Sequence, residues 1–366
     1  MGSYSQVESL NWSQPVTPLS EDLERESTAI PRATMREVAA LAGVGIKTVS
    51  RVINNEPNVS ADLTARVRAA AERLNYQPDI HAGNLRRSDR KTRTLGLIVG
   101  SVANPFSGAV NRGVEDVAAD RGVAVFTSSL DDDASRETRI VTEMLRRRVD
   151  GIILTTVKKN QAYLLPEQQR GTAFVFVDRQ PSGIDADAVL TNNAEAASQA
   201  VAHLASVGHR SIGYLGDRAE LWTAHERRRG FFEQLGAIGI PTAAVTAIDD
   251  LHDEDSAYRA TLGLFATDSP PTALFTSQNL VTIGTIRALR QLGLHHEIAL
   301  VGFDDIPLGD MLEPGVTVVA QNPYQIGRTA ADRAFARLEG DRSEARAFVV
   351  PSTLIIRGSG EIRPRS

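Results

Sequence analysis

Cysteine is absent from all 366 residues, which excludes disulfides, thiolate metal sites and cysteine nucleophiles. That absence fits a reducing compartment, the cytoplasm. Aromatic residues make up only 5% of the chain, and no apolar run approaches the ~20 residues that a membrane-spanning helix needs, so no membrane partner is expected. Residues 1–32 are polar and acidic and lack the apolar stretch of a signal peptide. Catalytic signatures are missing as well: there is no H-E-x-x-H, no G-x-x-x-x-G-K-S/T and no G-x-S-x-G. Asp304 and Asp305 are neighbours, so a strand would point them to opposite faces, whereas glycoside hydrolysis needs two carboxylates facing one bond. His209, in "GHRS", reads as a loop residue rather than a base. Neither an enzyme nor a cofactor or metal site is expected.

What charge there is lies unevenly. The chain carries −5 overall, yet residues 33–93 hold eleven Lys/Arg against six Asp/Glu. The segments on either side are net acidic. A basic module on an acidic body is the electrostatic footprint of a nucleic-acid reader, with a solvated charged linker as the plainer alternative.

Residues 1–32, with serines, prolines and no sustained apolar period, read as a mobile tail. From Ala33 onward the pattern is three short helices. Thr34 caps the first, Glu37 completes a capping box, and Gly43 ends the helix in a tight turn. A second helix is expected over about 46–52 and a third over about 61–74, behind Ser60. Two helices joined by a Gly-containing turn make a helix-turn-helix. Its second helix would present Ile46, Lys47 and Arg51 on one face with Thr48 and Ser50 beside them, suited to base edges in a major groove. Asn54, Asn55 and Tyr76 are candidates for phosphate contacts, and Thr34 joins the DNA-facing set at the first helix start. A helical bundle that binds protein is the alternative reading.

After Arg93 short apolar runs such as "LGLIVGSV", "GIILTTV" and "ALFTS" alternate with amphipathic helical segments. That rhythm implies parallel sheets covered on both faces. Eleven or so strands exceed one comfortable sheet, so two similar α/β lobes are expected, first crossing near Leu190–Asn193. Open α/β sheets bind ligands just beyond strand carboxyl ends, and "ANPF", "FVDR", "SQN", "GFDD" and "AQN" all fall there. Asp178 with Arg179, plus Arg227, Asp304 and Gln321, form a set of hydrogen-bonders suited to adjacent hydroxyls. Asn104 and Gln278 stand at two further strand ends, and Phe106 is suited to an apolar ligand face.

The stretch "TMREVAALAGVGIKTVSRVINNEPNVSADLTARVRAAAERLNYQPD" resembles the headpiece of LacI-type (lactose repressor family) transcriptional regulators. The resemblance continues through "NPF", "FVDR", "GHRSIGYLG", "RRRGF", "VGFDD" and "VTVVAQ", and covers about 33–359. Gly45 stands where the family usually has Ser, Gln278-Asn279 where Asn-Asp is common, and Ser107 where many sugar binders carry a second aromatic. Trp222 is a candidate replacement for that stacking face.

The resemblance implies a three-helix helix-turn-helix headpiece plus an α/β core of two similar parallel-sheet lobes, periplasmic binding protein-like type I. The corresponding divisions are a tail at 1–32, a headpiece at 33–78 and a hinge at 79–93. A first lobe spans 94–190 with about 322–350, and a second 191–321 with about 351–366. It implies that "PDIHAGNLRRSDRKTR" is a hinge helix with Leu85 as a wedge between base pairs and Ala82 beside it in the minor groove. It further implies a cytoplasmic, nucleoid-associated repressor on a pseudo-palindromic operator. Control would be allosteric, by a mono- or disaccharide bound between the lobes, with a nucleoside, purine or other polar metabolite as alternatives. The C-terminus lacks a leucine-heptad tail, so a homodimer is expected, with helices around 106–121 and 280–292 at its face.

Overall fold

Capping chemistry and apolar spacing set the first helices, and close glycine contacts set how the later ones pack. The computed structural model describes residues 33–54, 56–77, 92–241 and 245–365. The tail at 1–32 and the hinge positions Ala82 and Leu85 therefore lie outside the described residues. The chain divides into two units, taken here in turn.

In the first unit, α1 (Met35–Ala42), α2 (Ile46–Ile53) and α3 (Ala61–Arg73) follow one another. The expected capping box is present: Thr34 N donates to Glu37 Oε2 at 2.7 Å, and Glu37 N to Thr34 Oγ1 at 3.3 Å. Gly43 takes φ 64° at the end of α1, a left-handed turn that glycine adopts without a Cβ clash. Arg66 on α3 donates to the Ala42 carbonyl at 2.6 Å, so a terminal carbonyl of α1 has a charged partner. Val38, Ala42, Val49, Val52, Val67 and Ala70 form the buried core. Helix α2 starts on Gly45, which offers no side-chain cap.

The second unit is the α/β core. Strands β1 (Thr94–Val99), β2 (Ala124–Ser129), β3 (Gly151–Leu154), β4 (Ala173–Val177) and β5 (Asp187–Leu190) alternate with α4 (Pro105–Asp120), α5 (Ala134–Arg146) and α6 (Leu165–Gln169). The chain then crosses to build α7 (Asn193–Val207), β6 (Ile212–Leu215), α8 (Trp222–Ala237), β7 (Ala247–Ile248), α9 (Glu254–Leu264), β8 (Ala273–Thr276), α10 (Asn279–Gln291), β9 (Ala299–Phe303) and β10 (Thr317–Ala320). It returns for α11 (Pro323–Leu338) and β11 (Ala347–Val349), and crosses a last time for β12 (Thr353–Ile355). The first sheet runs β11-β5-β4-β3-β1-β2 and the second β12-β10-β9-β8-β6-β7. Every pairing is parallel except β10 with β12. Each sheet is covered by an apolar cluster on both faces, which is why β4 reads as an unbroken buried run, "AFVFV".

Helix pairs pack through glycine. A Cβ on Gly327 of α11 would lie 2.1 Å from the Val110 carbonyl of α4, and one on Gly230 of α8 only 1.9 Å from the Ala194 carbonyl of α7. At β5, the wholly buried Asp187 accepts from Arg333 and Arg337 of α11 at 2.8 to 3.0 Å. Burial pushes this carboxyl up, but the hydrogen bonds from Arg337 and Arg333 outweigh it and hold the group below its ordinary range. His209 lies in a loop, as its surroundings in the sequence indicate. Its ring nitrogens sit 2.9 Å from Thr272 Oγ1 and 2.8 Å from the Ile362 carbonyl, pinning the C-terminal segment to the second sheet. Among the described residues no helix is long and apolar enough to cross a membrane.

Two outcomes follow from this packing. Gly230→Ala forces α7 and α8 apart, and the expected loss is about 3 kcal/mol, read as a lower urea midpoint of the core. Gly45→Ser meets nothing within 4 Å at its new Cβ and gives α2 the missing cap. The headpiece melting transition should rise, by roughly 0.3 kcal/mol; an unchanged or lower transition would show that the α2 start needs glycine.

Candidate functional site

The DNA-facing candidates are set out along α2. Val49 and Val52 turn into the headpiece core, leaving Ile46 and Lys47 exposed and Thr48 and Ser50 half-buried on the other side. Asn54 closes the helix, its Nδ2 3.4 Å from Ser50 Oγ. Arg51 does not project freely. Its Nη2 donates to the Pro57 carbonyl at 2.8 Å and its Nε pairs with Glu56 at 3.5 Å, so it braces the turn behind α2. Thr34 is occupied by its capping box, and Tyr76 packs against the headpiece core.

In the core, the carboxyl ends of the two sheets meet around a cavity of about 340 Å³. Nearly every strand end contributes: Asn104 and Phe106 after β1, Asp132 after β2, Thr155 after β3, Asp178 and Arg179 after β4, Asp217 after β6, His252 after β7, Gln278 after β8, Asp304 after β9 and Gln321 after β10. This is where parallel sheets leave strand-end backbone and side chains unoccupied.

Asp178 and Asp304 occupy matching places in the two lobes. Their φ angles are 67° and 69°, and their backbone N–H groups donate to Val189 and Val319 at 2.9 Å each. A left-handed aspartate costs on the order of 1 kcal/mol, and both turns aim a carboxylate into the cavity. Burial raises both carboxyls above their ordinary range; Arg179 and Arg227 oppose this at Asp178, and Arg227 and the Gln321 hydrogen bond oppose it at Asp304.

Arg227 reaches between them from α8. Nε donates to Asn193 Oδ1 and Nη1 to the Ser277 carbonyl, both at 2.7 Å, with Asp304 at 4.0 Å. Its guanidinium lies over the Phe303 ring, 3.8 Å from the centroid. Arg179 pairs with Asp132 at 2.7 Å and donates to the Thr156 carbonyl at 3.2 Å. The segment that carries this carbonyl is held by buried Glu137, which accepts from Thr156 Oγ1 and from the backbone N–H groups of Val157 and Lys158. Gln321 gives its Nε2 to Asp304 at 2.7 Å, while its buried Oε1 has no hydrogen-bond partner among the described residues.

One expectation needs correction. Trp222 is not on the cavity wall. Helix α8 begins at Trp222 itself, and the indole packs on the first lobe's apolar cluster around Leu130 and Leu154, where a large apolar ring gains more than beside charged groups. Gln278 lines the cavity, and its Oε1 caps α10 by accepting from Leu280 N at 2.8 Å. Residues missed by sequence reasoning are Asp132, Asp217, His252, Glu254 and Asn279. Asn279 exchanges side-chain amide hydrogen bonds with Asn104 of the other lobe, at 2.8 and 3.2 Å. Their common signal was position two to four residues past a strand end, or at the first turn of the helix that follows.

Known proteins share this build. Residues 34–79 match the model of bacterial regulatory proteins of the lacI family, and residues 201–360 that of a periplasmic binding protein-like domain. The HTH-type transcriptional regulator PtxS of Pseudomonas aeruginosa is 34% identical over 332 residues, 90% of this chain and 96% of that one. The ribose operon repressor of Halalkalibacterium halodurans is 30% identical over 329 residues, 88% of this chain and 96% of that one. Among solved structures, the lac repressor dimer bound to operator and the anti-inducer ONPF matches with a TM-score of 0.79 at 24% identity, over 90% of this chain and 99% of that one. The transcriptional regulator CelR–cellobiose complex matches with a TM-score of 0.63 at 29% identity, over 90% of this chain and all of that one. The chain therefore belongs to the lacI family of bacterial regulatory proteins and is a sequence-specific DNA-binding transcriptional repressor.

Proposed function

We propose that this repressor senses a small sugar, a mono- or disaccharide, in the cavity between its lobes, and that the sugar controls operator binding. The observation that carries this reading is the Asp178–Arg227–Asp304–Gln321 constellation, which lines a cavity of about 340 Å³ from both lobes. Carboxylates and amides alternate there with a fixed guanidinium, and adjacent hydroxyls both donate and accept, so they match such a set. Phe106 supplies an apolar face. The cellobiose in the CelR complex and the ribose operon of the Halalkalibacterium relative point the same way. A nucleoside or purine is the second reading, favoured by the apolar Phe106 face alone.

On DNA, the exposed side of α2 with Ile46 and Lys47 enters a major groove, and two copies of the chain read the halves of a pseudo-palindromic operator. The segment with Leu85 and Ala82 is assigned to the central minor groove on the family resemblance. A sugar that favours one arrangement of the lobes over another shifts the population competent for DNA, and only that differential affinity controls the repressor.

A thermal-shift panel of pentoses, hexoses, disaccharides, nucleosides and purines tests the ligand. Ligand at 100 times its Kd stabilises the native state by about 2.7 kcal/mol. A hit confined to purines or nucleosides would overturn the sugar reading and keep the repressor. Arg227→Lys keeps the charge but loses the planar fork. Its affinity for the sugar found should fall at least about tenfold, or roughly 1.4 kcal/mol, with operator affinity in a gel-shift titration unchanged. Equal loss of both would make Arg227 a structural residue instead.

A further inference from the structure

Three of the cavity residues that sequence reasoning passed over, Asp132, His252 and Asn279, also join the lobes. Asp132 belongs to the first lobe, in the turn after β2. Its carboxylate pairs with Arg179 of the same lobe and lies 3.4 Å from Nε2 of His252 in the second lobe. On its other side His252 Nδ1 is 2.8 Å from Asp217. Arg218 donates to the Asp132 carbonyl oxygen at 3.1 Å, a second bond across the cleft. Asp131 and Asp132 both hold positive φ, 52° and 48°. Two successive non-glycine residues stay in that conformation only where their surroundings impose it.

We propose that Asp132 and His252 form a proton-dependent latch across the rim of the cleft, closing the lobes while the imidazole is charged and releasing them as it is neutralised. This regulation rests on the reading of the cavity as the effector site.

The charged groups facing His252 are Asp217 and Arg218 after β6, Asp132 with Arg179 and Asp178 behind it in the first lobe, and Glu254 at the start of α9; Gln278 meets its carbonyl at 3.2 Å. The hydrogen bond from Asp217 raises the imidazole above its ordinary range; partial burial and Arg218 oppose the rise, and Asp132 adds to it. A raised imidazole is charged in the closed state below the ordinary value near 6.5, and its contribution is lost as pH climbs through the raised value. Asp217 moves with His252 when the cleft opens. Only the attraction to Asp132 distinguishes open from closed, so the change is severalfold rather than all-or-none.

Trp222 reports the lobe separation directly, because it projects from α8 of the second lobe onto the first lobe's apolar cluster. In the full-length Trp12→Phe protein without any ligand, Trp222 is the single tryptophan, and its acrylamide quenching can be followed from about pH 5.5 to 9. Quenching should rise about two- to fivefold as His252 loses its proton. Asp132→Asn and His252→Gln should each give the high value at every pH, and the double variant no more than either single one. A flat parent profile, or single effects that add, overturns the latch. Circular dichroism identifies a variant that fails to fold, and the parent profile then decides alone. Because no ligand is present, the outcome is independent of whether a sugar binds.

Discussion

The cleft depends on one desolvated cation. Arg227 is almost wholly buried, and a guanidinium without water must find acceptors for its fixed fork of donors or it will not stay. It finds them in Asn193, Ser277 and Asp304, with the Phe303 ring beneath. Those partners come from the start of α7, the end of β8 and the end of β9. Holding the arginine therefore fixes three strand or helix termini of the second lobe relative to one another. The same positive charge opposes the burial penalty on Asp178 in the first lobe. Removing the charge would raise both carboxyls further, with Arg179 still opposing burial at Asp178 and Gln321 at Asp304.

The two lobes solve the same problem with the same local geometry. In each, a strand ends in a left-handed aspartate whose N–H returns to the neighbouring strand, at Val189 in one and Val319 in the other. An asparagine or glycine would adopt that turn at less cost, so the choice of aspartate is explained by the carboxylate it delivers and not by the backbone. Both turns lie on the cavity lining, and the buried sheets behind them hold them in place.

Much of this was legible in the sequence. Thr34-x-x-Glu37 and Gly43 marked the limits of α1 because capping is a short-range exchange of hydrogen bonds, written within four residues. Asp178, Asp304 and Gln321 were legible because parallel strands end in polar residues at known offsets from their apolar runs; Arg227 instead comes from within α8. Trp222 misled because a side chain's direction depends on where its helix starts, and α8 starts three residues before the amphipathic pattern becomes visible. Asp132, Asp217 and His252 were hidden for a different reason. Each is an ordinary polar loop residue alone, and their significance lies in a meeting of positions 35 and more residues apart in the chain, which only the tertiary fold brings about. Gln278 and Arg51 show the converse. Each had the right chemistry for a ligand or a base, and each is bonded to nearby backbone in the free protein.

The uneven charge completes the picture. Net positive charge is confined to residues 33–93, while the chain after them is acidic. Phosphate contacts supply most of the non-specific affinity of such proteins for DNA, and that affinity scales with the number of cations presented. An acidic core adds repulsion to every arrangement in which it lies against DNA, so the basic module is the part that associates. On the proposed reading, sequence discrimination then falls to the few side chains on the exposed side of α2, since phosphate contacts position the protein without reading bases. On the same proposed reading the core is left free to respond to the cleft, and a change in the disposition of its lobes alters operator affinity without contributing contacts of its own.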